Sequence, residues 1–304
     1  MTAIPSELAA ARDRFLELVA DLRPDLHRYC SRLVGSAIDG EDVVQEALAK
    51  AYYAMSLSPE LPPLRPWLLR IAHNTAIDFL RRYDRRLVEP VAHIDESAVS
   101  PDEPRPDVVR AALSSFVSLP VLQRSSVILK DVLGLSLEEI AQTTGTTVPA
   151  VKAALNRGRT TLRQQPETEI VPWRDRPETS AAERAMLDRY VALFNARDWP
   201  GVEALLTEEC RLDLVSKSLR RGRKQVSPYF GNYAREDVRL AVGRAEGRDV
   251  LGVHRPASSR EPQYLIALEL DGDRVGLIRD WRYVPYLMGE LSFESTETET
   301  ERRS

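Results

Sequence analysis

Four cations, Lys152, Arg157, Arg159 and Arg163, fall in a stretch from Ile140 to Pro166 that contains no Asp or Glu. One sign of charge on a short segment is chemistry for a polyanion. Each cation that meets a phosphate releases a condensed counterion, and beyond a Debye length the rest of the chain is not felt. The whole chain carries a formal net charge of −4, so the strip is a local feature. A second cationic set precedes it: Arg65, Arg70, Arg81, Arg82, Arg85 and Arg86 outnumber Asp78 and Asp84 six to two. A third set, Asp42, Gln45, Glu46 and Lys50, recurs at helical spacing on one face, which could also be an ordinary solvated face. Asp213 and His254 are acid/base side chains on predicted strands, useful as catalysts only if they converge on one substrate atom. Cys30 and Cys210 lie 180 residues apart, and the four histidines lack ligand spacing. No disulfide, metal or cofactor is expected.

Elements must position these groups. Ser136-Leu137-Glu138-Glu139 reads as a capping box opening a short helix. Gly145 can end that helix in the left-handed conformation. Thr146 and Thr147 can cap the next one, with Pro149 in its first turn. Val151, Leu155 and Leu162 form its apolar face. Two short helices with a tight turn, the second cationic, is how a protein places a helix in the major groove. Upstream, Asp39–Met55 reads as a helix with Val44, Leu48, Ala51 and Met55 inward. Arg65–Arg86 reads as another, with Trp67, Leu68, Ile71, Thr75 and Phe79 inward, and His73 on the surface. The loop Ser56–Leu64 is stiffened by Pro59, Pro62 and Pro63. Val88–Asp107, with four prolines and six acids, and residues 166–180 read as linkers.

The stretch LPVLQRSSVILKDVLGLSLEEIAQTTGTTVPAVKAALNRGRTTLR resembles region 4 of bacterial extracytoplasmic-function sigma factors of the sigma-70 family. DGEDVVQEALAKAYYAM resembles region 2.2, and RPWLLRIAHNTAIDFLRRYDRR regions 2.3 and 2.4. The resemblance implies a chain that binds core RNA polymerase (β and β′ subunits) and promoter DNA. Asp42, Gln45 and Glu46 would meet the β′ clamp helices through charge-assisted bonds. Arg70, Asn74, Arg81, Arg82 and Arg85 would grip and open the −10 element. Lys152, Arg157 and Arg159 would read the −35 element. Ala154 departs from the long polar residue often found at its position in the family.

Past residue 180 the period changes. Ala181–Leu206 reads as helices; Cys210, Leu212 and Leu214 alternate as a strand. VRLAVGRAEG, DVLGVHRP and QYLIALELDGDRVGLIRDWRYV read as successive strands, with Asp271-Gly272 as a hairpin turn. This order resembles the SnoaL-like cone related to nuclear transport factor 2, through Tyr190, Phe194, Asn195, Asp198, Trp199, Gly222–Lys224 and the terminal IRDWRYVP. Some sigma factors carry such a cone as a regulator in cis. LRRGRK, at 219–224, lacks the acid and glycines of that subgroup's motif.

The expected architecture is multi-domain: two all-α sigma modules and a C-terminal α+β cone. The boundaries are 6–87 (region 2), 88–107 (acidic linker), 108–165 (region 4 helix-turn-helix), 166–180 (linker), 181–290 (cone) and 291–304 (disordered tail). Trp173 is a candidate anchor in the second linker, and the cone is a candidate site for an unknown ligand. No apolar run approaches the ~18 residues of a membrane span, and the N-terminus lacks signal-peptide order, so the cytoplasm is the expected compartment. The expected function is promoter recognition, with catalysis left to the polymerase. The rivals are an activator using only the helix-turn-helix and a SnoaL-like isomerase or hydrolase fused to a DNA-binding regulator.

Overall fold

The computed structural model describes residues 6–57, 62–83, 113–164 and 179–296. Arg85 and Trp173, and most of both expected linkers, lie outside them. The chain divides into two compact units, Met1–Trp173 and Arg174–Ser304.

The first unit is helical among its described residues: α1 (Ser6–Leu18), α2 (Arg23–Val34), α3 (Ala37–Ser56), α4 (Leu64–Tyr83), α5 (Leu113–Val117), α6 (Val121–Val127), α7 (Leu137–Thr144) and α8 (Val148–Gln164). A π-helical turn, Ile128–Val132, extends α6. Helix α3 starts where the Ser36 hydroxyl accepts the Asp39 amide at 3.0 Å. It buries Val43, Val44, Ala47, Leu48 and Ala51, an apolar stripe at helical spacing, against α2 and α4. The Ser136–Glu139 capping box is formed in both directions, and Gly145 closes α7 at φ 67°.

Helices before and after residues 84–112 share one core. Phe15, Leu26, Tyr29, Leu33, Val44 and Leu69 belong to the same buried cluster as Phe116, Leu119, Val127, Ile128, Ile140 and Leu155. A fully buried guanidinium crosses this junction. Arg124 of α6 donates to Leu33 O of α2 at 2.6 Å, to Val117 O at 2.5 Å and to Leu119 O at 2.9 Å. Leu33 and Val117 lie in the last turns of α2 and α5, where carbonyls lack helical partners. One cation thus satisfies two helix ends that come from distant parts of the sequence. On the far side, Arg65 donates to Leu133 O at 3.2 Å.

The second unit is α+β. Helices α9 (Ala181–Asn195) and α10 (Trp199–Ala204) precede β1 (Leu206–Leu214) and β2 (Ser218–Arg221). Two single turns, α11 (Arg223–Val226) and α12 (Pro228–Gly231), lead to β3 (Arg239–Ala245), β4 (Arg248–His254), β5 (Tyr264–Asp271), β6 (Arg274–Asp280) and β7 (Glu294–Ser295). Strands β3 to β6 form the expected antiparallel meander, with Asp271 opposite Arg274 across the predicted turn. Strand β1 departs from it, inserting parallel to β6, so the order is β2-β1-β6-β5-β4-β3-β7. Within the expected disordered tail, Glu294 and Ser295 form a strand of the sheet. Glu294 and Ser295 pair with β3, and the Phe293 ring lies where a Cβ on Gly243 or Gly252 would stand. Glycine at both positions opens the slot that holds this strand.

Candidate nucleic-acid interface

The faces of α3 and α4 meet at an ion pair. Glu46 accepts two bonds from Arg82, at 3.0 and 3.2 Å, and pairs with Lys50 at 2.9 Å. Burial pushes the Glu46 carboxyl up, but Lys50 and Arg82 outweigh it and hold it below the usual range. Asp42 and Gln45 are half-buried beside it on α3, and the Gln45 amide nitrogen has no hydrogen-bond partner. Two expected sites are therefore one surface: the acidic face and an arginine assigned to DNA are bonded to each other.

Along α4, Arg70, Asn74 and Arg81 are exposed on one stripe, with Asp78 interrupting it. Arg82 is exposed as well, one residue on. His73 corrects a reading: it is buried, not a surface residue, and its Nδ1 lies 2.7 Å from Tyr29 Oη. Burial pulls its pKa down to about 4.

In α8 the expected reader splits. Lys152 is exposed and Arg157 half-buried. Arg159 is a correction: it is 1% exposed, and its Nε donates to Asp131 Oδ2 at 2.9 Å, with a second bond from Nη2 to Oδ1. It lies four residues past Leu155, on the helix's core side, and neutralises the carboxylate on the π turn. Ala154 is buried too, which explains its size, so it is not a reading position. Solvent instead meets Lys152, Thr160 and Arg163, with Asn156 half-buried between them. Arg163 was absent from the expected site, yet its spacing of 11 from Lys152, three helical turns, places it on the same face.

In the second unit Asp213 and His254 do not converge. They sit on β1 and β4, with β6 and β5 between, roughly 14 Å apart at the usual strand spacing. Asp213 pairs with Arg279 at 3.3 Å, and His254 Nδ1 contacts Ser259 O at 2.9 Å. The motif IRDWR instead sends Asp280 into the interior, 0% exposed, with three tyrosines and Arg282 around it. No spacing rule pointed there, because the partners come from α12, the turn after it and β5.

Comparison with known proteins resolves what these surfaces belong to. The sigma-70 region 2 family matches residues 18–86 and the sigma-70 region 4 family residues 111–162. SigW of Bacillus subtilis, an extracytoplasmic-function sigma factor, is 30% identical over 167 residues, covering 51% of this chain and 89% of SigW. This chain belongs to the extracytoplasmic-function sigma factors. As a sigma factor it serves RNA polymerase in recognising promoter DNA. The sigma factor SigG of Mycobacterium tuberculosis is 29% identical over 288 residues, covering 83% of this chain and 77% of SigG. That span exceeds the 173 residues of the first unit, so the likeness to SigG runs into the α+β unit. The crystal structure of the sigma factor SigJ of the same organism covers 88% of this chain and 96% of SigJ, at 18% identity and a TM-score of 0.33. Among the described residues no helix is long and apolar enough to cross a membrane, and no group of His, Cys, Asp and Glu could hold a metal ion.

Proposed function

We propose that region 2 binds the β′ subunit of core polymerase through the Asp42–Gln45–Glu46 face and opens the −10 element with Arg70, Asn74, Arg81, Arg82 and Arg85. Region 4 reads the −35 element with Lys152, Arg157 and Arg163, while Arg159 holds the helix in place. The observation that carries this reading is the line Lys152, Asn156, Thr160 and Arg163 on the second helix of the hairpin, exposed except at the half-buried Asn156. A cationic stripe with amide and hydroxyl groups between is suited to phosphates and base edges. The α+β unit, SnoaL-like in its expected form, acts in cis as a regulator rather than a catalyst, and answers to a small ligand. The setting is the cytoplasm, where the polymerase works. The test is promoter-dependent run-off transcription with core polymerase, using the full chain and a chain ending near residue 180. Transcripts that need the chain are expected, and truncation should change their amount while the start site stays the same. Failure of the full chain to direct any transcript would overturn the sigma assignment of these surfaces. Equal transcription by both chains in every condition would remove the α+β unit from regulation.

A further inference from the structure

The stretch Thr207–Lys224, which holds most of β1, all of β2 and the LRRGRK segment, carries six cations and three acids in a chain of net charge −4. Two of the acids have partners: Glu208 pairs with Arg223, and Asp213 pairs with Arg279 of β6 at 3.3 Å. The third, Glu209, is exposed. Arg211, Arg221 and Lys224 are exposed too, and among the described residues they make no ion pair.

The register places Arg211 of β1 directly opposite Arg221 of β2. Directly opposed residues share one face of the sheet, with Cβ atoms about 5 Å apart, and like charges there work against the pairing. This face is the outer one, because the neighbours of Arg211 along the strand, Cys210 and Leu212, turn into the core. Next on the same face stands Leu219, opposite Asp213 and 66% exposed. Strand β2 ends the sheet order, and charge on an edge strand can serve to repel other strands. Two features do not fit that use. Arg211 lies on β1, inside the sheet, and an exposed leucine stands on the edge itself. Two cations held face to face without a counter-charge are instead a seat for an anion. Guanidinium forks match phosphate oxygens in pairs, so two forks at this spacing can take one phosphate between them or two in succession. A two-stranded ribbon is also narrow enough to enter a DNA groove. Promoter DNA is the polyanion that a sigma factor meets.

We propose that the outer face of the β1–β2 ribbon is a further nucleic-acid surface, on which Arg211, Arg221 and Lys224 hold the phosphates of duplex DNA whatever its sequence. It is separate from the surfaces of regions 2 and 4. It also goes beyond the cis-regulatory reading, since it gives the α+β unit a contact of its own with DNA.

The test is fluorescence anisotropy of the full chain on a labelled duplex of arbitrary sequence, followed across a salt series, for wild type and the double variant Arg211→Gln/Arg221→Gln. Each phosphate contact contributes a slope of about 0.9 in log affinity against log salt. The double variant should lose about 1.8 from that slope, so raising the salt fourfold should cost wild type about twelvefold more affinity than it costs the variant. Arg221→Gln alone should lose about half as much. Adding Lys152→Ala to the double variant should take a further 0.9 or so from the slope, as for an independent surface. Without DNA the double variant should melt no lower than wild type, because the change removes a like-charge pair. Poly-L-glutamate is the second probe, and its binding should not depend on the two arginines. An unchanged slope for the double variant would overturn the proposal. So would a loss of poly-L-glutamate binding equal to the loss on DNA, which would make the face a dock for acidic peptides. A lower midpoint without DNA would overturn it as well, by making the two arginines structural. None of these outcomes touches the truncation experiment, so loss of this surface and loss of the regulatory reading remain separate results.

Discussion

Replacing Arg124 by methionine removes the charge that joins α2 to α5 and α6 while keeping much of the volume. Burial pulls the Arg124 pKa down to about 10, so it is still cationic at neutral pH. Three carbonyls lose their donor: Leu33, Val117 and Leu119. A hydrogen bond from a charged group contributes about 1.5–3 kcal/mol net. The Val117 contact is only part-buried, and water can replace its donor. The other two are buried, and cannot be rehydrated without opening the junction. Desolvation of the guanidinium is recovered when it is removed, which offsets part of the loss. The balance for Arg124→Met is a destabilisation of about 3–4 kcal/mol, a large share of the 5–15 kcal/mol typical of a domain. With a slope near 2 kcal/mol per molar urea, the midpoint of the first unit should fall by about 1.5–2 M. Arg124→Lys keeps the charge but not the fork, so it should fall between wild type and Met. The assay is urea unfolding followed by far-ultraviolet circular dichroism. A midpoint for Arg124→Met within about 0.3 M of wild type would refute the reasoning, since it would mean that the core alone holds these helix ends together.

Charge reversal at Asp42 and Glu46 together should weaken co-purification with core polymerase while the helical signal stays; unchanged binding would remove that face from the interface. Alanine at Arg159 should leave Asp131 buried and unpaired and cost about 3–5 kcal/mol of stability. Alanine at Lys152 or Arg163 should leave stability within about 0.5 kcal/mol and flatten the salt dependence of promoter binding by about one counterion each. A stable Arg159→Ala with altered promoter preference would reverse the assignment. Burial holds His27 and His73 at about 4 against an ordinary 6.5, with Arg23, Arg32 and Arg28 adding to the effect at His27 against the Ala37 carbonyl. Both are lowered, so their contribution to stability is present above pH 6.5 and is lost as pH falls towards 4. The slope is up to about 2.7 kcal/mol per pH unit for the pair. Urea midpoints at pH 7, 6 and 5 should fall accordingly, and a flat profile would show that both imidazoles are hydrated.

The helix-turn-helix was legible because capping box, left-handed glycine and apolar spacing agree on one answer. The same arithmetic, carried one turn further, puts Arg159 beside Leu155 on the buried side; reading the strip by charge alone hid this. Asp131 was the clue, an acid on a helix that had to face α8. His73 was misplaced because its partner, Tyr29, is 44 residues away, and local periodicity cannot see a buried hydrogen bond. The shared core of the first unit was not legible either. Each helix shows an apolar face, and nothing local says whose face will cover it. In the α+β unit alternation gave the strands, but the parallel insertion of β1 next to β6 depends on pairing across 66 to 69 residues. The Asp280 cluster was hidden for the same reason.

The shared core has a consequence in length. A compact unit of 173 residues has a radius of gyration of about 16 Å and is roughly 40 Å across. Elements centred near −10 and −35 are about 25 base pairs apart, on the order of 85 Å at 3.4 Å per pair. A smooth 90° bend shortens that separation only to about 77 Å, at a cost of up to about 6 kcal/mol. Regions 2 and 4, packed around Leu33, Phe116 and Leu119, therefore fit one element at a time. Reading both means parting the helices that Arg124 ties together and covering the exposed apolar side chains with something else. As folded, the two regions lie closer together than the two promoter elements.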